Sequence, residues 1–199
     1  MSEIARLKIT LDHLEPQVLR RFEVPVGIRL EALHLVIQIA MGWENCHLYA
    51  FRTGEGEWSS ADPHFGDPLA LLAEETSLAE LLRQGGAKAF RYHYDFGDDW
   101  EHTVKVEAVT DADPDTLYPR LLEARRACPP EDCGGPWGYA ELLAAITDPA
   151  HERHAELKEW LGEDFDPAAV DEAAIRKSFK ALAAPRSRRK ASFSAKRAG

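Results

Sequence analysis

Alternating apolar and polar positions open the chain. Leu7, Ile9 and Leu11 fall on one face of residues 5–11, His13 to Pro16 supply a turn, and Val18 to Val24 return, which predicts an antiparallel hairpin. From Arg29 to Met41 the period lengthens. Leu30, Leu33, Ile37 and Ala40 recur at helical spacing, Val36 and Met41 widen the stripe, and Gly42 follows, the pattern of an amphipathic helix with a glycine stop. A strand is predicted over His47 to Arg52, with Trp58 on a short return strand. Short helical patterns follow over Asp67–Leu72 and Ser77–Leu82, the second with Ser77 as N-cap and Glu80 three residues on, ended by Gly85 and Gly86. The clearest hairpin joins Phe90–Tyr94 to Trp100–Ala108, where Val104 and Val106 oppose Thr103, Lys105 and Glu107. After Asp111 the pattern reads as loop through CPPEDCGGPWGY (Cys128 to Tyr139), and then as helices over Tyr139–Ile146, Glu152–Leu161 and Pro167–Leu182, with Asp166 capping the last.

Strands first and helices last predict an α+β fold: a mostly antiparallel sheet with helices packed on it and a helical C-terminal part. A hydrophobic fraction of 45% supports a full core, and the length fits one domain over residues 1–183 followed by a basic, disordered tail over 184–199. The formal net charge of −10 hides an asymmetry, because Arg186, Arg188, Arg189, Lys190, Lys196 and Arg197 are grouped in that tail. Residues 1–185 then carry −16, which repels phosphate backbones and confines nucleic-acid binding to the tail. No signal-peptide pattern opens the chain. The most apolar segment, Leu33–Trp43, is far short of the ~20 residues that span a bilayer, so no membrane is expected. Cys46, Cys128 and Cys133 are too few for a disulfide framework, which places the chain in the cytoplasm.

Two constellations carry candidate chemistry. In YHYDFGDDWEH, Tyr92 to His102, Asp95, Asp98, Asp99 and Glu101 gather about one turn. Carboxylates converging there are stable only if hydrated, hydrogen-bonded or bound to a cation. One reading makes Asp95, Asp98, Glu101 and His102 the ligands or general base of a metal-dependent hydrolase or nuclease. The other makes the turn structural, with Asp95 capping amides and the rings packing inward. The Asp95-Phe96-Gly97 triplet does not signal a kinase, since the remaining kinase motifs are missing. The second constellation, Cys128 and Cys133 ahead of His151 and His154, offers a zinc ligand set at spacings near a finger pattern; its alternative is buried free thiols with surface histidines. Zinc or another divalent cation is thus the candidate cofactor. Cys46 beside His47 does not make a dyad, because catalytic partners meet in space rather than along the chain.

GWENCHLYAF (Gly42–Phe51), YHYDFGDDWEHTVKVE (Tyr92–Glu107), ACPPEDCGGPWGY (Ala127–Tyr139) and WLGEDFDP (Trp160–Pro167), with KITLDHLEPQVLRRFEVP at Lys8–Pro25, resemble the plasmid pRiA4b ORF-three-like family over roughly residues 4–172. The resemblance implies an uncharacterised α+β protein of plasmids or mobile elements, in a family sometimes labelled transposon passenger or resolvase-like, with no catalytic residues to carry over. Members often hold a further cysteine where this chain has Leu121. Recombinase chemistry does not fit: Ser2 has no arginine setting, and the acidic body presents no arginine and histidine cluster for a phosphate. The leading expectation is therefore a non-enzymatic binding or accessory protein for an unknown protein or small ligand. Its binding surface is expected at Tyr92, Tyr94, Asp95, Trp100 and Trp137.

Overall fold

A computed structural model describes residues 2–60, 71–85, 88–162 and 165–183. The basic tail and residues 67–70 of the predicted Asp67–Leu72 helix lie outside the described residues. One eight-stranded sheet runs through the molecule in the order β5-β4-β3-β6-β7-β1-β2-β8. Its strands are β1 (Glu3–Leu11), β2 (Leu19–Pro25), β3 (Tyr49–Thr53), β4 (Gly56–Ser59), β5 (Leu71–Leu72), β6 (Ala89–Tyr94), β7 (Trp100–Asp111) and β8 (Arg120–Arg125). All neighbours pair antiparallel except β4 and β5. The helices are α1 (Leu30–Met41), α2 (Leu78–Gly85), α3 (Gly135–Thr147), α4 (His154–Leu161) and α5 (Glu172–Ala183).

The sheet is two-faced because its alternation is two-faced. Leu7, Ile9, Phe22, Tyr92, Trp100 and Val104 point to the side that carries α1 and α5 and are buried. Tyr92 reaches His34 and Gln38 of α1, and Phe22 meets Phe179 of α5 edge-on at 5.8 Å. The opposite side is a ladder of charge pairs. Glu23 is clamped between Arg6 (2.9 Å) and Arg120 (2.7 Å), Arg21 bridges Glu107 and Glu123, and Arg91 meets Asp12. Antiparallel sheets tolerate this division, whereas helices on both faces would require apolar residues at every position.

Local signals explain most boundaries. Gly42 ends α1 in the left-handed region at φ 92°, its N–H donating to Gln38 O at 2.8 Å. Ser77 and Glu80 form the reciprocal capping box: the Ser77 N–H donates to Glu80 Oε2 (2.7 Å), and the Glu80 N–H donates to Ser77 Oγ (3.3 Å).

Three expectations are corrected. Leu71–Leu72 is the edge strand β5 rather than helix, held by its pairing with β4. Arg120–Arg125, read as loop, is strand β8, made by its ladder on β2 although its sequence lacks clean alternation. The last helix starts at Glu172 rather than Pro167. Asp166 caps only the turn at Ala168, and Asp171 accepts the Ala174 N–H at 2.9 Å.

Candidate metal centre

Three loops meet at one end of the β3–β6–β7 strands. Cys46 and His47 precede β3, Asp95 follows β6, and Glu131 and Asp132 lie between β8 and α3. The His47 Nε2 atom lies 3.1 Å from Asp132 Oδ1, 3.6 Å from Asp95 Oδ2 and 3.8 Å from Glu131 Oε2. Despite these short approaches, among the described residues no oxygen lies where the ring nitrogen could donate a hydrogen bond, and both His47 Nε2 and Glu131 Oε2 are buried without a hydrogen-bond partner there. Among the described residues, the groups whose ligand atoms all lie within 4.8 Å of one another are His47-Asp95-Asp132 and Cys46-His47-Glu131.

Two of the three carboxylates, Asp95 and Glu131, are held by one oxygen and present the other. Asp95, at φ 54°, accepts the Gly97 N–H (2.9 Å) and the Asp98 N–H (3.3 Å) on Oδ1, leaving Oδ2 toward His47. Glu131 Oε1 accepts the Glu44 N–H (2.8 Å) and the Tyr94 hydroxyl (3.1 Å), leaving Oε2 toward His47. Tyr94 in turn accepts the Cys46 N–H at 3.1 Å, and its ring meets His47 edge-on. These outer hydrogen bonds fix the groups that face His47. The Cys46 thiol, at the exposed edge of the group, is held above its ordinary value by local desolvation first and then by Glu131.

Close backbone approach locks the loops together. Asp98 Oδ2 accepts the Gly134 N–H (3.0 Å), and a Cβ on Gly135 would lie 2.2 Å from Asp98 O. Gly135 also sits at φ 68°, so the second glycine of CGGPWG is required twice over.

Of the predicted acids, Asp95 joins this centre and the others do not. Asp98 is spent on Gly134, Glu101 faces the opposite side of the sheet near His13 (3.5 Å), and His102 is fully buried with Nδ1 at Tyr92 O (3.1 Å). Asp95, Asp98, Glu101 and His102 therefore do not converge: successive residues of a strand point to opposite faces. Cys128 and Cys133 pack against the core. Burial pushes both thiols up, Cys133 to about 12. His151 Nδ1 accepts the Arg153 N–H and His154 Nδ1 lies 2.9 Å from Ala145 O, so the four zinc candidates are not brought together among the described residues.

Tyr92, Tyr94 and Trp100 are fully buried and pack the core instead of a binding surface. Trp137, 89% exposed, is the member of that set open to a partner.

The matched family model, plasmid pRiA4b ORF-3-like protein, spans residues 3–174. The chain belongs to this family. It is also 50% identical over 185 residues to the uncharacterised protein y4hQ of Sinorhizobium fredii, covering 92% of this chain and 94% of that one. The fold matches the crystal structure of a protein of unknown function, MM3350 from Methanosarcina mazei Go1, with a TM-score of 0.77 and 32% identity over 90% of this chain and 98% of that chain. Three of the sequence blocks that carry the family resemblance supply the centre: GWENCHLYAF gives Cys46 and His47, YHYDFGDDWEH gives Asp95, and ACPPEDCGGPWGY gives Glu131 and Asp132. His47, Glu131 and Asp132 were not legible as ligands, because neither adjacency nor local spacing joins them. The available signal was that each block is a polar and aromatic loop, and that the hairpins carry those loops to one end of the sheet.

Proposed function

We propose that the protein works by binding in the cytoplasm, where its three free cysteines stay reduced, and that it holds a divalent transition-metal cation between His47, Asp95 and Asp132, with Glu131 and Cys46 adjoining. The observation that carries this reading is the imidazole nitrogen faced by three carboxylate oxygens, none of them placed to accept its proton. Donors of a tetrahedral zinc bound at ~2.0–2.1 Å lie about 3.3–3.4 Å apart. The 3.1, 3.6 and 3.8 Å separations from His47 Nε2 bracket that spacing. One imidazole among carboxylates favours zinc, manganese or ferrous iron over calcium, which takes an all-oxygen shell.

Asp132, with its side chain 72% exposed, leaves one side of the cation open to a carbonyl or carboxylate of a small ligand or partner protein. Trp137 supplies an exposed ring on the neighbouring helix for such a partner. Isothermal titration of untagged, metal-stripped protein with zinc and with manganese tests the reading. A single saturable site that His47→Ala and Asp95→Asn abolish is expected. Binding unchanged in both variants would reject it.

A further inference from the structure

An open cavity of about 610 Å³ lies between α1, the Cys128 loop and the start of α5, and no metal-centre residue lines it. That volume lies within the ~300–1,000 Å³ typical of small-molecule sites. Its walls are largely apolar, with Ile39, Met41, Trp43, Phe165, Val170 and Ile175 contributing. Arg20, from β2, also lines it and is 1% exposed.

Two of the three guanidinium nitrogens of Arg20 are held by the protein. Nε donates to Ala40 O (2.6 Å), and Nη1 donates to Leu19 O (2.8 Å) and Arg125 O (2.9 Å). These acceptors are neutral carbonyls, and Nη2 donates to no protein group among the described residues. No carboxylate forms an ion pair with Arg20 among them either. Glu23, the acid nearest along β2, is taken by Arg6 and Arg120, and Glu172 is taken by Arg176. Burial lowers the Arg20 pKa, with Cys128 and Glu172 opposing it, yet a guanidinium stays charged inside proteins. Cys128 supplies no counter-charge, since burial keeps its thiol protonated. A guanidinium that is 1% exposed, donates only to carbonyls and forms no ion pair among the described residues is favoured by an anion brought to Nη2.

We infer that this cavity binds a small monocarboxylate with an apolar body, its carboxylate on Arg20 Nη2 and its hydrocarbon against Met41, Trp43 and Ile175. A phosphate ester fits less well. Only the Nη2 donors remain, and Asp166 and Asp171, both exposed, also line the cavity and repel a dianion.

Titration of the full chain with octanoate, octanamide and acetate, followed by calorimetry and by intrinsic tryptophan fluorescence, tests the inference. Octanoate saturates one site. Octanamide, lacking the charge, and acetate, lacking the body, bind at least tenfold more weakly. Arg20→Met lowers octanoate affinity at least tenfold. Should that variant fail to fold, Val170→Trp, which fills the cavity from a half-buried position, abolishes binding instead. Octanoate that fails to saturate at millimolar concentration, octanamide binding equally well, or unchanged affinity in a folded Arg20→Met or Val170→Trp variant overturns the inference.

Discussion

Replacing Tyr94 by phenylalanine removes a hydroxyl shared by the Cys46 loop and the Glu131 loop. The ring is fully buried and its stacking on Trp43, at 4.9 Å between centroids, is unaffected. Two short hydrogen bonds are lost, the donation to Glu131 Oε1 and the acceptance from the Cys46 N–H, both 3.1 Å, together with a weak 4.0 Å contact to Cys46 Sγ. A hydrogen bond to a charged group contributes about 1.5–3 kcal/mol, and the exposed Cys46 amide regains water, so the net loss is about 2 kcal/mol. At 2–4 °C per kcal/mol for a chain of this size, the metal-free protein should melt about 4–8 °C lower. Glu131 keeps one anchor, the Glu44 N–H at 2.8 Å, but its carboxylate can now turn away from His47. Loss of such an outer-shell partner typically lowers metal affinity about 10–100-fold. Thermal denaturation of metal-free protein and zinc titration read the two effects separately. Reduced stability with unchanged zinc affinity would confine Tyr94 to packing and refute its role in presenting Glu131; no change in either would refute the whole derivation.

Gly135→Ala should destabilise by more than the ~1–2 kcal/mol of a left-handed alanine, because its Cβ meets Asp98 O at 2.2 Å. Gly134→Ala, whose nearest neighbour is at 3.4 Å, should cost that strain alone, and denaturant midpoints of the two compare them. Acid should weaken the fold through its buried histidines. Burial depresses His102 to about 3 and His34 to about 4, so the unfolded chain takes up protons first as pH falls below 6.5. The stability they contribute is complete above about pH 6.5 and declines toward pH 4 and 3, by about 2 kcal/mol per histidine at pH 5. Urea unfolding of metal-free protein at about pH 7.5 and 5 checks this, and equal stabilities would contradict it.

Periodicity made the frame legible and left the site dispersed. The β1–β2 and β6–β7 hairpins, α1 and the Ser77 box follow from patterns within a dozen residues, where side-chain alternation and caps act locally. β8 escaped because Arg120, Glu123 and Arg125 interrupt its apolar positions, and its pairing comes from β2, distant along the chain. The carboxylates of Tyr92–His102 are adjacent along the chain, yet Asp95 sits just past the end of β6 while Glu101 lies on the charged face of β7. Only the sheet register separates them. His47 and Asp132 meet through tertiary closure of loops more than eighty residues apart, which no local period encodes. Nothing in the local pattern of β2 marks Arg20, and its burial beneath α1 depends on the helix-side face of that strand.

The most direct test is the position of the cation itself. Anomalous difference density from crystals of the untagged protein grown with zinc should show one peak about 2.0–2.2 Å from His47 Nε2, Asp95 Oδ2 and Asp132 Oδ1. A peak between Cys128 and Cys133, or no peak at the His47 corner, would contradict the account.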